Sequence, residues 1–513
     1  MPQVRPCQRA VEILSFSSVE NRRRPFSSAI FCLGLGVVLF AVGAKLALIN
    51  RYGTDQPYAD QWAAEGMYFV RGPLYYQVDL NQITALHGEH RPGLTRLWLR
   101  GLVLGNEGQW DCFVELVANL LIYGAFLTLV WQWVSRLTDR LWLGLAACLM
   151  TVMFGLPGIY ENFLWGFQSC FLFMLLLGFV HITWTMEATR PNGRWWLAQL
   201  AGLMGLFSIA AGAMSAATLA LIAGYEILRS RRNAWAWATL VTNVFLFVLG
   251  VWLLPGGGGH TGGMIVRLSG ALVRTGYLLS WPFPGAWWGL LLQAPWVLLL
   301  TVARRGKGDS EESSGDWCVV AVAIWMTCSC FAIGYGRELS PETIGARYFD
   351  GLVLGLFVNF VVILRIVARL RQVRRVAWMG GGLVWIFAAG WGLWNYNLPE
   401  KLGPLFKYQH DLAIEQREIV RDFLVSDNPA RLLAFANTTH RFPHMEYTLV
   451  FLRDPKVLPL LPPSLTPDGH AGPLSRLAVQ IAAGCWFLLG LGVISWLAGM
   501  VWLRRVNTIE PRA

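Results

Sequence analysis

Residues 27–50 read SSAIFCLGLGVVLFAVGAKLALIN, and residues 51–72 continue RYGTDQPYADQWAAEGMYFVRG. The first stretch is apolar over the ~20 residues that a helix needs to cross a bilayer. The second is dense in acids and aromatics. A little further on, LHGEHRPGLTRLWLR (86–100) adds histidines and arginines. A long apolar helix running straight into a polar block is the signature of a membrane span followed by a working loop.

The rest of the chain repeats the pattern. Its 513 residues are 55% hydrophobic and only 14% charged, and the mean hydropathy of +0.45 lies outside the range of soluble domains. The apolar runs are too long for barrel strands, and backbone groups inside lipid must bond within their own segment, so the spans are helical. Many of the 26 tryptophans stand near the ends of the runs, where amphipathic rings sit at headgroup level. A net charge of +11 could signal nucleic acid. The arginines, however, lie in short loops between spans, which is an orientation signal, so nucleic acid is not expected as a partner.

Most of the nine cysteines fall inside apolar runs (Cys32, Cys148, Cys170, Cys328, Cys330, Cys485), without CxxC spacing. They read as small buried hydrophobes. The first apolar run lacks a cleavage site of small residues and is expected to remain as a permanent span.

Hydropathy places about twelve spans: 27–50, 111–134, 141–158, 161–186, two within 195–228, 234–254, 285–303, 317–334, 348–366, 377–396 and 477–503. Arg22, Arg23 and Arg24 before the first run put the amino terminus in the cytoplasm. Each later basic cluster (Arg136 and Arg140, Arg190 and Arg194, Arg229 with Arg231 and Arg232, Arg369 to Arg375, Arg504 and Arg505) then falls on the same side. The expected fold is therefore an all-α polytopic bundle with both termini inside. Residues 1–26 form a cytoplasmic segment, and 27–397 form the bundle with its external loop 51–109. Residues 398–475 make a small external helical region with too little core to fold alone, and 476–513 bring the last span and tail back in. Within the loop, 92–105 is apolar but too short and basic to cross, so an interfacial helix is expected.

Sorting by side gathers most polar residues outside: Asp55, Asp60, Glu65, Asp79, His87, Glu89, His90, Arg91 and Arg96, then Glu161, Asn162 and Gln168, then Arg267, Arg274, Arg337, Arg347 and Tyr348. Glu161 and Gln168 are seven apart and would share one face of a continuous helix. Polar groups buried in a span are costly unless paired or wet, which makes them functional candidates. The plainer alternative puts Glu161 at headgroup level, with Asn162 capping its helix and Arg347-Tyr348 as an interfacial anchor.

In HGEHR, His87 and His90 with Glu89 could approach one cation. HExxH spacing is absent, and Gly88 and Pro92 oppose a regular helix, so a hydrogen-bonded cluster in which Arg91 grips an anion is preferred. No metal is assigned and no cofactor is called for; a divalent cation stays open without support. The catalytic candidates are Asp60, Asp55, Glu89 and His90, as carboxylates and donors suited to general-base work on a sugar hydroxyl. The candidates for holding substrate or phosphate are Arg91, His87, Glu161, Asn162, Gln168, Arg337, Arg347 and Tyr348, since arginine forks suit phosphate.

An acid-bearing first external loop, many further spans and a terminal external region resemble the GT-C superfamily of membrane glycosyltransferases. YADQW (58–62) makes Asp60 the match for the superfamily's loop carboxylate, with Asp55 second. YENFLWGFQ (160–168), GRELSPETIGARY (336–348) and LRDPKVLPLLPPSL (452–465) are also similar to a group of bacterial multi-span proteins, a likeness that names no activity. The superfamily's paired-acid motif is not clear at 55–60, and the terminal region is far smaller than in oligosaccharyltransferases. The resemblance implies a polyprenyl-phosphate sugar as donor, a cell-envelope glycan or lipid as acceptor, and a place in the bacterial inner membrane among its lipids. A polysaccharide polymerase or ligase using a polyprenyl-pyrophosphate donor, and a secondary transporter or flippase, remain as alternatives. The sidedness has a direct check. Reporter fusions active only outside the cytoplasm are expected to be active after residues 106 and 470 and silent after 137 and 190; the reverse pattern would invert the whole assignment.

Overall fold

The computed structural model describes the chain apart from residues 1–27, 71–78, 189, 230–233, 256–263, 306–310, 338, 341–342, 370–371, 440, 443, 467–468 and 510–513. The basic amino-terminal segment, Arg231, Arg232, Arg371 and the GGGGHTGG stretch thus lie outside the described residues, as does part of the RRGKGDSEESSGD loop.

Among the described residues every regular element is helical. The first span is α1 (Ser28–Tyr52). The loop after it holds a π-helix (Trp62–Val70), α2 (Leu80–Ile83) and the amphipathic α3 (Gly93–Gly105). The bundle continues with α4 (Cys112–Leu137), α5 (Arg140–Gly155), α6 (Glu161–Leu164), α7 (Ser169–Glu187), α8 (Gly193–Gly205), α9 (Met214–Arg229) and α10 (Ala234–Trp252). Then come α11 (Met264–Ser280), α12 (Trp288–Arg305), α13 (Glu311–Gly336), α14 (Phe349–Arg369) and α15 (Gln372–Tyr396). A polar helical region follows, α16 (Pro399–Ser426), α17 (Ala430–Thr439) and α18 (Met445–Leu452), before α19 (Pro473–Ala483) and α20 (Cys485–Ile509) close the chain.

This is a polytopic helical membrane bundle. Helices stand at all twelve places expected from hydropathy, and among the described residues eight are long and apolar enough to cross: those at α1, α4, α7, α9, α10, α13, α14 and α20. The apolar parts of α5 (Trp142–Gly155) and α12 (Trp288–Thr301) are shorter. The 13 residues of α8 rise only ~20 Å, short of the ~30 Å hydrocarbon layer. α15 spans 25 residues but is not among the eight.

Two expectations are corrected. The span 161–186 is not one helix: Trp165 is extended (φ −139°, ψ 108°), so α6 stops and a 3-10 turn, Gly166–Gln168, leads into α7. Glu161 and Gln168 therefore do not share a helical face. Nor does Asn162 cap anything; it is buried inside α6. The last run is likewise split, with α19 ending at Gly484 and α20 alone crossing.

α1 and α20 pack antiparallel at a distance set by glycine. A Cβ on Gly36 would stand 2.7 Å from the Trp496 nitrogen, and one on Gly492 would stand 2.7 Å from the Phe40 nitrogen. In lipid no hydrophobic drive pushes helices together, so small residues that let backbones meet supply the packing. The ends of the chain are clasped in this way, and the long core of α4, α7, α13 and α14 fills in beside them.

The two ends of the bundle differ. At one, Arg136 and Arg194 both meet Glu187, and Arg365 Nε donates to Asp316 at 2.6 Å. At the other lie the loop after α1, the α5–α7 turn, the start of α14 and the α16–α18 region. That region packs on the first loop, where Ile419, Val420, Phe423, Leu432 and Phe451 share a core with Trp62, Leu99 and Trp110, and on the bundle, where Leu402 and Phe406 meet Leu48 of α1. Gly36→Leu is expected to overpack the α1–α20 contact and cost about 1–3 kcal/mol, because the colliding atoms are backbone. Thermal unfolding of purified protein in detergent reads this, and an unchanged melting point would refute the clasp.

Candidate functional site

The loop end is assembled from four segments that meet around Asp60. The chain leaves α1 laced to α16: Gln56 Nε2 donates to the Ala413 carbonyl at 3.3 Å, and Gln416 Nε2 donates to the Pro57 carbonyl at 2.9 Å. Ala59 then takes a left-handed conformation (φ 46°), which a side chain seldom adopts without being held there. The Asp60 carbonyl accepts from the nitrogens of Ala63 and Ala64 and starts the π-helix, so the backbone of Asp60 is fixed on both sides.

HGEHR supplies the second segment as a hairpin turn. His87 and His90 exchange both main-chain hydrogen bonds, at 2.8 and 3.0 Å, and Gly88 sits at φ 55°, as the first central position of such a tight turn requires. His87 Nε2 comes within 3.8 Å of Asp60 Oδ2. His90 Nδ1 accepts from the Ala210 nitrogen at 3.2 Å, which assigns the ring proton to Nε2, 3.5 Å from Glu89 Oε1. Burial is the main force on His90 and lowers its pKa to about 4, so the ring is neutral at physiological pH. Glu89, at the tip, also pairs with Arg337.

The third and fourth segments are α6 and the 3-10 turn Ala346–Tyr348 that opens α14. Glu161 spends both oxygens on Arg347: Oε1 accepts from Nη1 at 3.0 Å and Oε2 from the main-chain nitrogen at 2.9 Å. Asn162 Nδ2 donates to the Arg347 carbonyl at 2.9 Å and to Asp350 Oδ2 at 2.8 Å. The Arg347 guanidinium also lies over the Tyr348 ring, 5.3 Å from its centre.

Asp60, His87, Glu89, His90, Arg337, Glu161 and Arg347 thus belong to one electrostatic neighbourhood. Burial works against the charge on Asp60. His87, 3.8 Å away, with Arg347 and His444 behind, overrides it and holds the carboxyl below its ordinary range. Tyr58 lies beside them with the Arg441 guanidinium 4.8 Å from its ring centre. Burial raises the Tyr58 phenol above its usual value. The rim stays half open: Asp60 is 38% and Arg337 41% exposed.

Three other candidates stand elsewhere. Arg91 donates from Nε to the Leu253 carbonyl and from Nη1 to the Thr84 carbonyl, both at 2.8 Å, so it fastens the loop to the end of α10. Gln168 is buried in the turn before α7, its Oε1 without a hydrogen bond among the described residues. Asp55 accepts from the nitrogen and hydroxyl of Ser464, at 2.9 and 2.7 Å, and lines a cavity of about 600 Å³ to which Asp60 does not contribute. The charged rim and the cavity are therefore different places. The rim is the better candidate for chemistry because it concentrates opposed charges at an open mouth. Among the described residues no three His, Cys, Asp or Glu side chains converge as metal ligands would.

Sequence reasoning left two buried pairs unpaired. Behind Asp60, Gln61 Nε2 donates to Glu65 Oε2 at 2.9 Å and to Glu115 Oε2 at 3.1 Å, and Trp110 Nε1 donates to Glu115 Oε1 at 2.9 Å. The i, i+4 spacing of Gln61 and Glu65 was visible; Glu115, across the loop, was not. Lys45 donates to the carbonyls of Leu156 and Ile159 at 2.5 and 3.0 Å, in the same buried polar seam as Asp350. A lone lysine in the first span was its only signal.

Comparison of the chain with family models, with curated proteins and with solved structures finds no match.

Burial, only partly opposed by Gln61 and Arg96, raises Glu65 from 4.5 to about 8. A carboxyl with a higher folded than unfolded pKa lends stability that is complete below the unfolded value and is lost as pH rises through the folded one. Stability is therefore expected to fall between pH 4.5 and about 8, and Glu65→Gln should flatten that slope in melts taken across the range. Parallel slopes for the two proteins would mean that Glu65 ionises freely in the fold.

Proposed function

We propose that this membrane protein is a glycosyltransferase, moving a sugar from a polyprenyl-phosphate donor to a cell-envelope glycan or lipid acceptor. The loop end would be the outer face of a bacterial inner membrane. The observation that carries the reading is Asp60: a carboxyl 3.8 Å from His87 Nε2, on a half-open rim shared with Arg337 and Arg347.

In the proposed reaction Asp60 takes the proton of an acceptor hydroxyl, whose oxygen attacks the anomeric carbon of the donor. The bond from that carbon to the phosphate oxygen breaks, and polyprenyl phosphate leaves with the electron pair. A single displacement inverts the anomeric centre. Arg337 and Arg347 are placed to receive the growing negative charge, since guanidinium forks match phosphate oxygens. Glu161 positions Arg347, Glu89 positions Arg337, and His87 keeps Asp60 ionised. The proton on Asp60 then passes to water at the open rim.

A second reading draws on the same two arginines, each held by a carboxylate. A polymerase or ligase acting on a polyprenyl-pyrophosphate donor would need them and could dispense with the base. The test is the lipid-linked sugar and glycan profile of a deletion strain carrying wild-type or variant protein. Asp60→Asn is expected to lower transfer by about 10²–10⁴-fold, the usual worth of a general base, with protein level unchanged. Full complementation by Asp60→Asn, with loss in Arg337→Ala or Arg347→Ala, would select the pyrophosphate reading instead.

A further inference from the structure

The cavity of about 600 Å³ is large enough for a sizeable ligand and lies on a different face of α16 from the one turned toward Arg441 and Tyr58. His410, Ala413, Ile414 and Arg417 line it from α16; Arg476, Val479 and Gln480 line it from α19. Its remaining borders are the turn after α1, the first residues of α4, and Pro463, Ser464 and Ala471 from the stretch before α19.

Two observations fix its level and its chemistry. The cavity lies where α1 and α4 meet the loop end and beside the first two turns of α19, which places it at the membrane surface. α19 turns Leu477, Val479 and Ile481 outward, 48, 59 and 41% exposed, as a helix lying in the lipid interface does. The wall is mostly apolar, with Phe113, Ile414 and Val479 on it.

The polar groups at the cavity divide sharply by sign. Its carboxylates are already used: Asp55 by Ser464, and Asp111 by the Ser475 hydroxyl at 2.5 Å and the Phe113 nitrogen at 2.8 Å. Its arginines are freer. Arg417 makes no hydrogen bond or ion pair among the described residues, and Arg476 gives Nη1 to the Ala471 carbonyl at 2.9 Å. His410 Nδ1 is buried with no hydrogen bond among the described residues. Guanidinium donors with hydrogen bonds to spare, beside an apolar wall at headgroup depth, complement an anion that carries a hydrocarbon chain.

We propose that this cavity holds an anionic glycerophospholipid, its phosphate on Arg417, Arg476 and His410 and one acyl chain along Phe113, Ile414 and Val479. The site is separate from Asp60 and does not depend on the transfer reaction. A bound lipid there would wedge α16 against α19 and so brace the region that holds the rim.

The test is native mass spectrometry of the full-length protein, delipidated in neutral detergent and titrated with phosphatidylglycerol. Diacylglycerol, which has the chains without the phosphate, is the first comparator. Phosphatidylglycerol is expected to bind at least about tenfold more tightly, as charge-assisted contacts imply. The double variant Arg417→Ala with Arg476→Ala should lose about tenfold. Val479→Trp, which keeps both charges and narrows the apolar wall, should also weaken binding, and Arg431→Ala, outside the cavity, should not. Equal binding of diacylglycerol, or unchanged binding in both cavity variants, would overturn the proposal. So would competition by millimolar inorganic phosphate, which would mark a free-anion site. Displacement by a short polyprenyl phosphate at lower concentration than phosphatidylglycerol would reassign the cavity to the sugar donor.

Discussion

Glu161 gives both of its carboxylate oxygens to Arg347, and the rest of the loop end is hung from that contact. Each partner sits at the head of a helix, α6 on one side and α14 on the other, so the pair sets the spacing of two bundle elements where they emerge. Asn162 extends it inward by bridging the Arg347 carbonyl and Asp350. A seam of polar groups thus runs from an open rim into an apolar core. Ionised groups at such a depth stay charged only when partnered, and removal of either member would strand the other. The same contact holds the Arg347 charge near Asp60, so a structural pair also sets the electrostatics of the rim.

α16 acts as the partition of the loop end. Its buried stripe of Ile419, Val420 and Phe423 packs on Trp62 and Trp110, which ties the polar region to the first loop. Gln409 and Gln416 reach Arg441 and, through it, Tyr58 beside Asp60. His410, Ile414 and Arg417 look the other way, into the lipid-level cavity. One helix therefore separates a charged, half-open rim from an apolar pocket, and the two are coupled through its position.

A third layer lies beneath. Glu65 and Glu115 share one amide donor, Gln61, in a site closed to solvent. Two carboxylates in that position cannot both ionise cheaply, so the platform under Asp60 is built from at least one protonated acid. Asp60, one residue before Gln61, is ionised; Glu65, five residues after it, is pushed toward neutrality. Exposure and partners, not residue type, separate their states.

The sequence by itself determined the class of the fold and much of the address of the site. Apolar length alone dictates spanning helices, because lipid leaves the backbone no other partner, and the density of charge after the first span marked the loop that carries Asp60, His87 and His90. It also marked Glu161 and Arg347, since ionisable residues beside long apolar runs are rare and visible. What it could not determine was who faces whom. The break at Trp165, which separates Glu161 from Gln168, carries no proline, and its one signal, Gly166, is a residue that membrane spans commonly contain. Arg91 looked like an anion grip, yet two carbonyls brought near by the α10 end claim it. Glu115 and Lys45 were hidden because their partners lie 54 and 111 residues away. Composition and period report what one segment needs; pairing across the bundle is decided only when packed helices bring distant polar groups within 3 Å, and there the tertiary structure alone chose the partners.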